Sequence, residues 1–168
     1  MIENNIKDYL FDEIEKIISY RPSAEQIFDY IYGVLNTKHY VEKYNDLLKQ
    51  NYPRIVYPTS MEMFETVVYY GNLLKAIHLD NPEEYLTRTE VTVNKHRFDD
   101  GKLYLNKDLY LEIDSETWEF KIGACQVIKN WIKSREGESI LLEEFKNVIW
   151  KVENTIYIKE KLNSSWSL

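Results

Sequence analysis

One short motif has the residue types of a metal-dependent nuclease site. Glu119, Phe120 and Lys121 follow one another, with Asp108 or Asp114 upstream. Two carboxylates that hold Mg²⁺ and a lysine that steadies the attacking water are the parts such a site needs. Because a Glu-x-Lys triplet is frequent in any charged protein, the motif leaves nuclease chemistry as an alternative and not as the prediction.

Other residues capable of metal binding or nucleophilic chemistry are scattered. His39, His78 and His96 lie far apart in sequence, and none has a partner at ligand spacing. Cys125 is the single cysteine and has no activating base beside it, so a packing role is favoured over a reactive one. We therefore expect no catalytic residue, no metal and no cofactor.

A run of basic residues stands out against an acidic chain. The 168 residues carry a net charge of -7, which argues against a protein that holds nucleic acid by its overall potential. Between Lys121 and Arg135, however, every charged side chain is a cation. Any nucleic-acid contact must therefore rely on a local patch or on a partner that supplies phosphate contacts.

The residues of this run share one face of a predicted helix. Lysines would reach phosphates, and amide side chains would read base edges in a major groove. The predicted DNA-binding residues here are Gln126, Lys129, Asn130, Lys133 and Arg135. The alternative is a solvated helix face opposite an apolar stripe that contains Val127 and Trp131.

A second candidate surface lies in a segment of short strands. Lys95, Arg97 and Lys102 are its predicted DNA-binding residues, because a hairpin tip can enter a groove. The alternative is that these charges prevent edge-to-edge aggregation of strands.

The first half of the chain has the apolar spacing of amphipathic helices. Helices are predicted from Ile6 to Ile18, from Ser23, after Asn36-Thr37, and from about Thr59 to His78. Both Ser23-Ala24-Glu25-Gln26 and Thr59-Ser60-Met61-Glu62 have the form of capping boxes. Pro53 and Pro58 favour an extended connector, and Asn81-Pro82 should end the fourth helix.

In the second half of the chain the spacing of apolar residues changes twice. Apolar residues alternate with polar ones from about 88 to 114, which predicts an antiparallel meander with turns at Asp99-Asp100-Gly101 and Asn106-Lys107. Helical spacing returns from Ala124, and a last helix is predicted from Ser139 to near Leu162. The chain should thus form one α+β domain over 1–168, mostly helical with a small β-meander: helices over about 1–80 and 123–162, strands over about 88–114.

Several segments resemble a known family in both residue type and order. They are Phe28 to Leu35, followed by Tyr40 and Tyr44, then Tyr52 to Ile55, Leu103 to Asn106, Trp118 to Gly123, and Gln126 to Arg135. Together they resemble the C-terminal target-recognition, or specificity, region of type ISP single-polypeptide restriction-modification enzymes and related adenine-N6 DNA methyltransferases. Ala124-Cys125 departs from this pattern, since the family usually has Gly-Tyr there.

The resemblance implies a noncatalytic module that helps to read a DNA target. In the family this region follows nuclease, helicase and methyltransferase parts. The chain contains no Asn-Pro-Pro-Tyr motif, no Gly-rich cofactor loop and no phosphate-binding GxxxxGK[ST] loop. The implied partners are double-stranded DNA and a methyltransferase or restriction-enzyme body. The alternative is a protein-interaction or regulatory domain that docks on such an enzyme, which the acidic net charge favours.

The sequence also bears on cellular location. No apolar stretch approaches the roughly 20 residues that span a bilayer. The single cysteine and the lack of a signal-peptide pattern favour a cytoplasmic protein.

Overall fold

The computed structural model describes residues 6–48, 54–79 and 89–166, which fall into two compact units. The first unit contains the described residues up to Leu79 and those from Tyr157 onward, and the second contains those from Thr89 to Ile156. Each unit has its own core of buried apolar side chains. That the whole chain acts as one domain stays a prediction.

The first unit consists of helices that bury one apolar face each. They are α1 (Asp8–Ile18), α2 (Ala24–Asn36), α3 (Lys38–Leu48) and α4 (Met61–Leu79), and the end of the last helix of the chain joins them. Ile14, Ile27, Phe64 and Leu74 have no exposed surface. All four helices appear where the helical spacing predicts them.

The predicted helix caps are correct in one case and shifted in the other. Ser23 caps α2 in a full capping box, in which its Oγ accepts from the Gln26 amide and Gln26 Oε1 accepts from the Ser23 amide. At α4 the cap is Ser60, whose Oγ accepts from the amide of Met63 at 3.1 Å, so the prediction of Thr59 was wrong by one residue. The expectations for Pro53 and for Asn81-Pro82 lie outside the described residues.

Helices α2 and α4 cross at a pair of glycines. A Cβ atom added at Gly71 would overlap the carbonyl oxygen of Asp29 and lie 3.0 Å from the amide nitrogen of Gly33. Beside this crossing the buried Asp29 carboxylate meets Lys75 Nζ at 2.7 Å and accepts from Asn72 Nδ2 at 2.9 Å. The hydrogen bond to Asp29 raises the pKa of Lys75, so the ion pair fixes a charged contact between the two helices.

The second unit combines short strands with helices. The strands are β1 (Glu90–Thr92), β2 (Arg97–Asp99), β3 (Lys102–Tyr104), β4 (Tyr110–Glu112), β5 (Lys121–Ile122), β6 (Cys125–Gln126) and β7 (Ser139–Leu141). The helices are α5 (Ser115–Glu119), α6 (Val127–Lys133) and the first part of α7 (Leu142–Ser165). Their core contains Leu103, Leu105, Ile128, Ile132 and Phe145.

Strands β2, β3 and β4 form an antiparallel meander within the predicted range of 88 to 114, with turns at the two predicted places. Leu103 pairs with Phe98 on one side and Leu111 on the other. The first turn uses left-handed backbone at Asp100 and Gly101, with φ of 46° and 73°. In the second turn Asn106 Oδ1 accepts from the amides of Asp108 and Leu109.

Three details of the second half differ from the sequence prediction. The strand near Val91 does not join the meander, because β1 pairs with β7, which opposes Val91 to Ile140. The last helix begins at Leu142 and not at Ser139, since residues 139–141 are used by that pair. Ala124 does not start a helix either, because β5 and β6 form a hairpin and α6 begins at Val127.

Helix α7 contributes to both cores. Phe145, Ile149 and Val152 are buried in the second unit, whereas Ile158 and Leu162 are buried in the first. The predicted class, an α+β fold that is mostly helical with small antiparallel sheets, is confirmed.

Candidate nucleic-acid interface

Helix α6 buries one side and presents two lysines on the other. Ile128 and Ile132 have no exposed surface, and one helical turn separates them. Lys129 and Lys133 follow each of them in sequence and are exposed. Neither lysine forms an ion pair with another residue of the described ranges. Both charges are therefore available to a ligand.

The two amide side chains of the predicted face are engaged within the protein. Gln126 precedes the helix and is half-buried, and its Nε2 donates to the Trp118 carbonyl oxygen at 2.7 Å. Asn130 is exposed, with its Nδ2 3.1 Å from Cys125 Sγ. Of the two, only Asn130 can turn toward a ligand without breaking a bond to backbone.

Arg135 is also held by its own unit. Its guanidinium carbon lies 3.8 Å from the centre of the Trp131 ring, and its Nη1 donates to the Trp131 carbonyl oxygen at 3.1 Å. The Trp131 ring in turn stacks on the buried Phe145 at 4.7 Å between centroids. The geometry indicates that Arg135 fastens the end of α6 to the core through cation–π and charged hydrogen bonds.

A two-residue turn links β5 to β6 directly before α6. Gly123 adopts a φ of 59°, which suits a tight hairpin turn and favours glycine. The Val127 amide donates to the Phe120 carbonyl oxygen at 3.1 Å, which closes the base of the hairpin. Lys121, Ile122 and Cys125 are exposed along it.

The outer face of the meander is balanced in charge. Arg97 Nη1 lies 3.1 Å from Asp99 Oδ2, and its guanidinium sits 4.3 Å from the centre of the Tyr104 ring. Lys102 stands opposite Asp99 on one neighbouring strand and opposite Glu112 on the other. Acidic partners thus surround the two cations, which makes this face less suited to phosphates than α6.

Lys95 lies in the loop between β1 and β2. The amide nitrogen and the ring Nδ1 of the next residue, His96, lie 3.0 and 2.6 Å from Glu136 Oε1. These bonds, with the positive charge of Lys95 adding to them, lower the pKa of Glu136. The contact brings the loop of Lys95 against the segment that follows α6, whereas Arg97 and Lys102 belong to the separate face of the meander.

Comparison with known proteins identifies the family. Residues 2–161 match the family model described as Type ISP C-terminal specificity domain. The chain belongs to this family. The family assigned from sequence is thereby confirmed, and the match covers both units of the specificity domain. A comparison with curated proteins yields no significant match.

Three solved structures of much longer chains contain a similar fold. One is the ATP-dependent Type ISP restriction-modification enzyme LlaBIII bound to DNA, with a TM-score of 0.69 and 15% identity over 94% of this chain. A second is a nuclease-deletion mutant of the Type ISP enzyme LlaGI in complex with a DNA substrate mimic, with a TM-score of 0.63 and 18% identity over 83%. A third is a DrdV–DNA complex, with a TM-score of 0.65 and 20% identity over 95%. The chain spans 12%, 14% and 19% of the three solved chains, respectively.

The nuclease-like residues of the specificity domain have ordinary surroundings. Asp114 caps α5, because its Oδ1 accepts from the Thr117 amide at 2.8 Å and its Oδ2 from the Thr117 hydroxyl at 2.7 Å. The bond from the Thr117 amide is the main reason that the pKa of Asp114 is lowered. Glu119 and Lys121 are exposed. In the described ranges, no group of three or more His, Cys, Asp or Glu side chains could hold a metal ion.

Sequence reasoning missed the β5–β6 hairpin of the specificity domain and its exposed Ile122. The helix predicted from Ala124 includes β6, the second strand of the hairpin, and the sequence analysis assigns no strand to β5. The isolated Gly123 between Lys-Ile and Ala-Cys was the signal that could have located it.

Within the described helices, none is long and apolar enough to cross a membrane.

Proposed function

We propose that this specificity domain binds duplex DNA through the exposed face of α6 and contributes to reading a target for a restriction-modification enzyme. The observation that carries the proposal is the pair Lys129 and Lys133. Both are exposed, one helical turn apart, without an acidic partner among the described residues, and within a stretch free of acidic side chains. Such lysines suit phosphates of one DNA backbone segment.

The other predicted contacts take different roles in this proposal. Asn130, exposed between the two lysines, reads a base edge or a phosphate. Lys95 lies in the loop that contacts the segment following α6 and adds positive charge. Gln126 and Arg135 act by positioning the hairpin and the end of the helix. Arg97 and Lys102 have acidic neighbours and make a weaker contribution.

We also propose that the domain is noncatalytic and works with a larger body. The three similar solved chains are several times longer than this chain; two are described as complexes with DNA and one as a complex with a DNA substrate mimic. A methyltransferase or restriction-enzyme body would supply the chemistry and further phosphate contacts, which a chain of net charge -7 needs. Both units would act together as one domain, and such an enzyme would operate in the cytoplasm.

A salt titration tests the proposed face. Duplex DNA of random sequence is titrated with the wild type, with Lys129→Gln/Lys133→Gln, and with Lys16→Gln/Lys38→Gln as the control. The control removes the same charge from lysines that are paired with Glu13 and Glu42. Affinity is measured by fluorescence anisotropy at several salt concentrations.

The expected result is a change of slope in one variant only. Each lost phosphate contact reduces the slope of log K against log salt by about 0.9, so the first variant should lose about 1.8. Between about 50 and 200 mM salt the wild type should therefore weaken about twelvefold more than this variant. An equal slope in both variants would reject the α6 face, and a wild type that binds no duplex at low salt would reject DNA binding by the chain itself.

A further inference from the structure

The tip of the β5–β6 hairpin exposes an apolar side chain that no core residue covers. Ile122 is 67% exposed, although it is β-branched and apolar. Its neighbours Gly123, Ala124 and Cys125 are exposed as well, and a Cβ atom added at Gly123 would meet nothing within 4 Å. Packing within the described protein therefore gives no reason for an isoleucine at this position.

The hairpin is held in a defined geometry. Its register pairs Lys121 with Gln126 and Ile122 with Cys125. The bonds from Gln126 Nε2 to the Trp118 carbonyl and from the Val127 amide to the Phe120 carbonyl fasten its base. Since Trp118 is buried and stacks on Phe98, the base rests on the meander of the same unit. The hydrogen bonds and the packing at its base therefore hold the hairpin tip in place.

The charge of the chain on either side of the tip indicates the kind of partner. Lys121 lies on the hairpin itself, while Lys129 and Lys133 follow on α6, and this stretch of sequence has no acidic residue. One large exposed apolar side chain, in a stretch of chain whose charged residues are all cations, is too small for a typical protein–protein core, which needs an apolar patch. It matches the pattern of a groove reader, in which cations bind phosphates and one apolar side chain meets a base.

We infer that the hairpin tip enters the major groove of duplex DNA and that Ile122 contacts the C5 methyl group of a thymine. The major groove admits a two-stranded β-ribbon, and the C5 methyl group of thymine is an apolar group exposed in that groove. The inference rests on the proposed function and adds to it a residue that determines sequence preference. The lysines supply affinity for any sequence, whereas Ile122 distinguishes thymine from other bases at one position.

Replacement of thymine by deoxyuridine tests this contact. The wild type first selects its preferred duplex from a random-sequence pool, and each thymine of that duplex is then replaced singly by dU, which removes only the methyl group. Affinities are measured for the wild type, for Ile122→Ala, and for Val41→Ala. Val41 is an exposed β-branched residue on α3 and serves as the matched control.

If Ile122 contacts a thymine methyl group, dU replacement at one thymine should lower the affinity, and this loss should require Ile122. Wild type and Val41→Ala should each lose about fourfold in affinity on dU replacement at that thymine, the factor for burial of one methyl group. Ile122→Ala should bind the thymine and dU duplexes equally, with its melting temperature unchanged because Ile122 is exposed. Its salt slope on random DNA should also stay that of the wild type.

The other outcomes reject either the hairpin contact alone or DNA binding by the chain as a whole. The hairpin contact is rejected if no dU replacement weakens the wild type, if Ile122→Ala keeps the same discrimination, or if selection yields no preferred sequence while salt-dependent binding persists. In those cases the proposed binding through α6 stands. If the wild type binds no duplex, both the hairpin contact and the proposed function are rejected for this chain.

Discussion

Arg135 and Lys133 are neighbouring cations to which the structure gives different tasks. The Arg135 guanidinium stacks on Trp131 at 3.8 Å and donates to its carbonyl oxygen, while Lys133 is exposed at the end of α6. We expect Arg135→Ala to reduce stability with little effect on the salt dependence of DNA binding. Lys133→Ala should have little effect on stability and should reduce the salt dependence of DNA binding.

The magnitudes follow from the contacts. A partly desolvated cation–π contact contributes about 0.5 to 2 kcal/mol, and a hydrogen bond from a charged group about 1.5 to 3 kcal/mol. Since Arg135 is only half-buried, we take the low ends and expect a loss of about 2 kcal/mol on Arg135→Ala. For a chain of this size that lowers the melting temperature by about 4 to 8 °C. The exposed Lys133 should change stability by less than about 0.5 kcal/mol when replaced by alanine.

The salt dependence of DNA binding distinguishes the same two residues. Lys133→Ala should reduce the slope of log K against log salt by about 0.9, which corresponds to about 3.5-fold less weakening over a fourfold rise in salt. Arg135→Ala should leave the slope close to that of the wild type. Arg135→Lys should keep the charge but lose the planar stacking and the fork of donors, so it should also lower the melting temperature.

Two assays decide between these roles. Thermal unfolding followed by circular dichroism at 222 nm gives stability, and anisotropy titrations of duplex DNA at several salt concentrations give the slope. If Arg135→Ala melts like the wild type and its slope falls by about 0.9, Arg135 is a phosphate contact and not a structural residue. If Lys133→Ala leaves the slope unchanged, Lys133 does not contact phosphate.

Two further predictions concern stability. Gly71→Ala should destabilise the protein by about 2 kcal/mol in urea unfolding, because the clash with the backbone of Asp29 outweighs the gain of about 1 kcal/mol in helix propensity; a stabilised variant would contradict the close helix crossing. Asp114→Ala should lose about 1 kcal/mol at neutral pH through the lost cap of α5. Because the pKa of Asp114 is lowered, the stabilisation from its charge is complete above the ordinary aspartate range and disappears as pH falls through the lowered pKa. Urea unfolding from neutral to acid pH should therefore show wild type and Asp114→Asn converging in acid, and a constant gap would contradict this.

The helices of the first unit could be predicted because their causes are local. In α2, Ile27, Tyr30 and Val34 recur at helical spacing, and the Ser23 cap uses side chains three residues apart. The one-residue error at Ser60 arose because Thr59 and Ser60 can both cap a helix, and only the tertiary setting selects between them.

The pairing of strands in the second unit could not be predicted in the same way. Val91 pairs with Ile140 across a long stretch of sequence, and no local pattern specifies that partner. Ser139-Ile140-Leu141 also merges with the helical spacing of Phe145 and Val148, so its three residues look like the start of the helix. Short apolar runs of this kind fit a strand or a helix equally well until their partner is known.

The candidate site was partly predictable for a similar reason. Helical spacing correctly separates the buried Ile128 and Ile132 from the exposed Lys129 and Lys133. It contains no information about contacts made with other elements. The bond of Gln126 to the Trp118 carbonyl therefore appears only in the folded structure.

The division of the first unit into two separated stretches of sequence affects how it is made. Its early helices precede the 77 residues from 80 to 156, while its core residues Ile158 and Leu162 come after them. A ribosome that adds about 5 to 20 residues per second needs about 4 to 15 s to cross that interval. Throughout this time the apolar faces of α1, α2 and α4 lack two of their buried partners. The second unit, whose sequence is continuous, can therefore finish folding on the ribosome before the unit that was begun first.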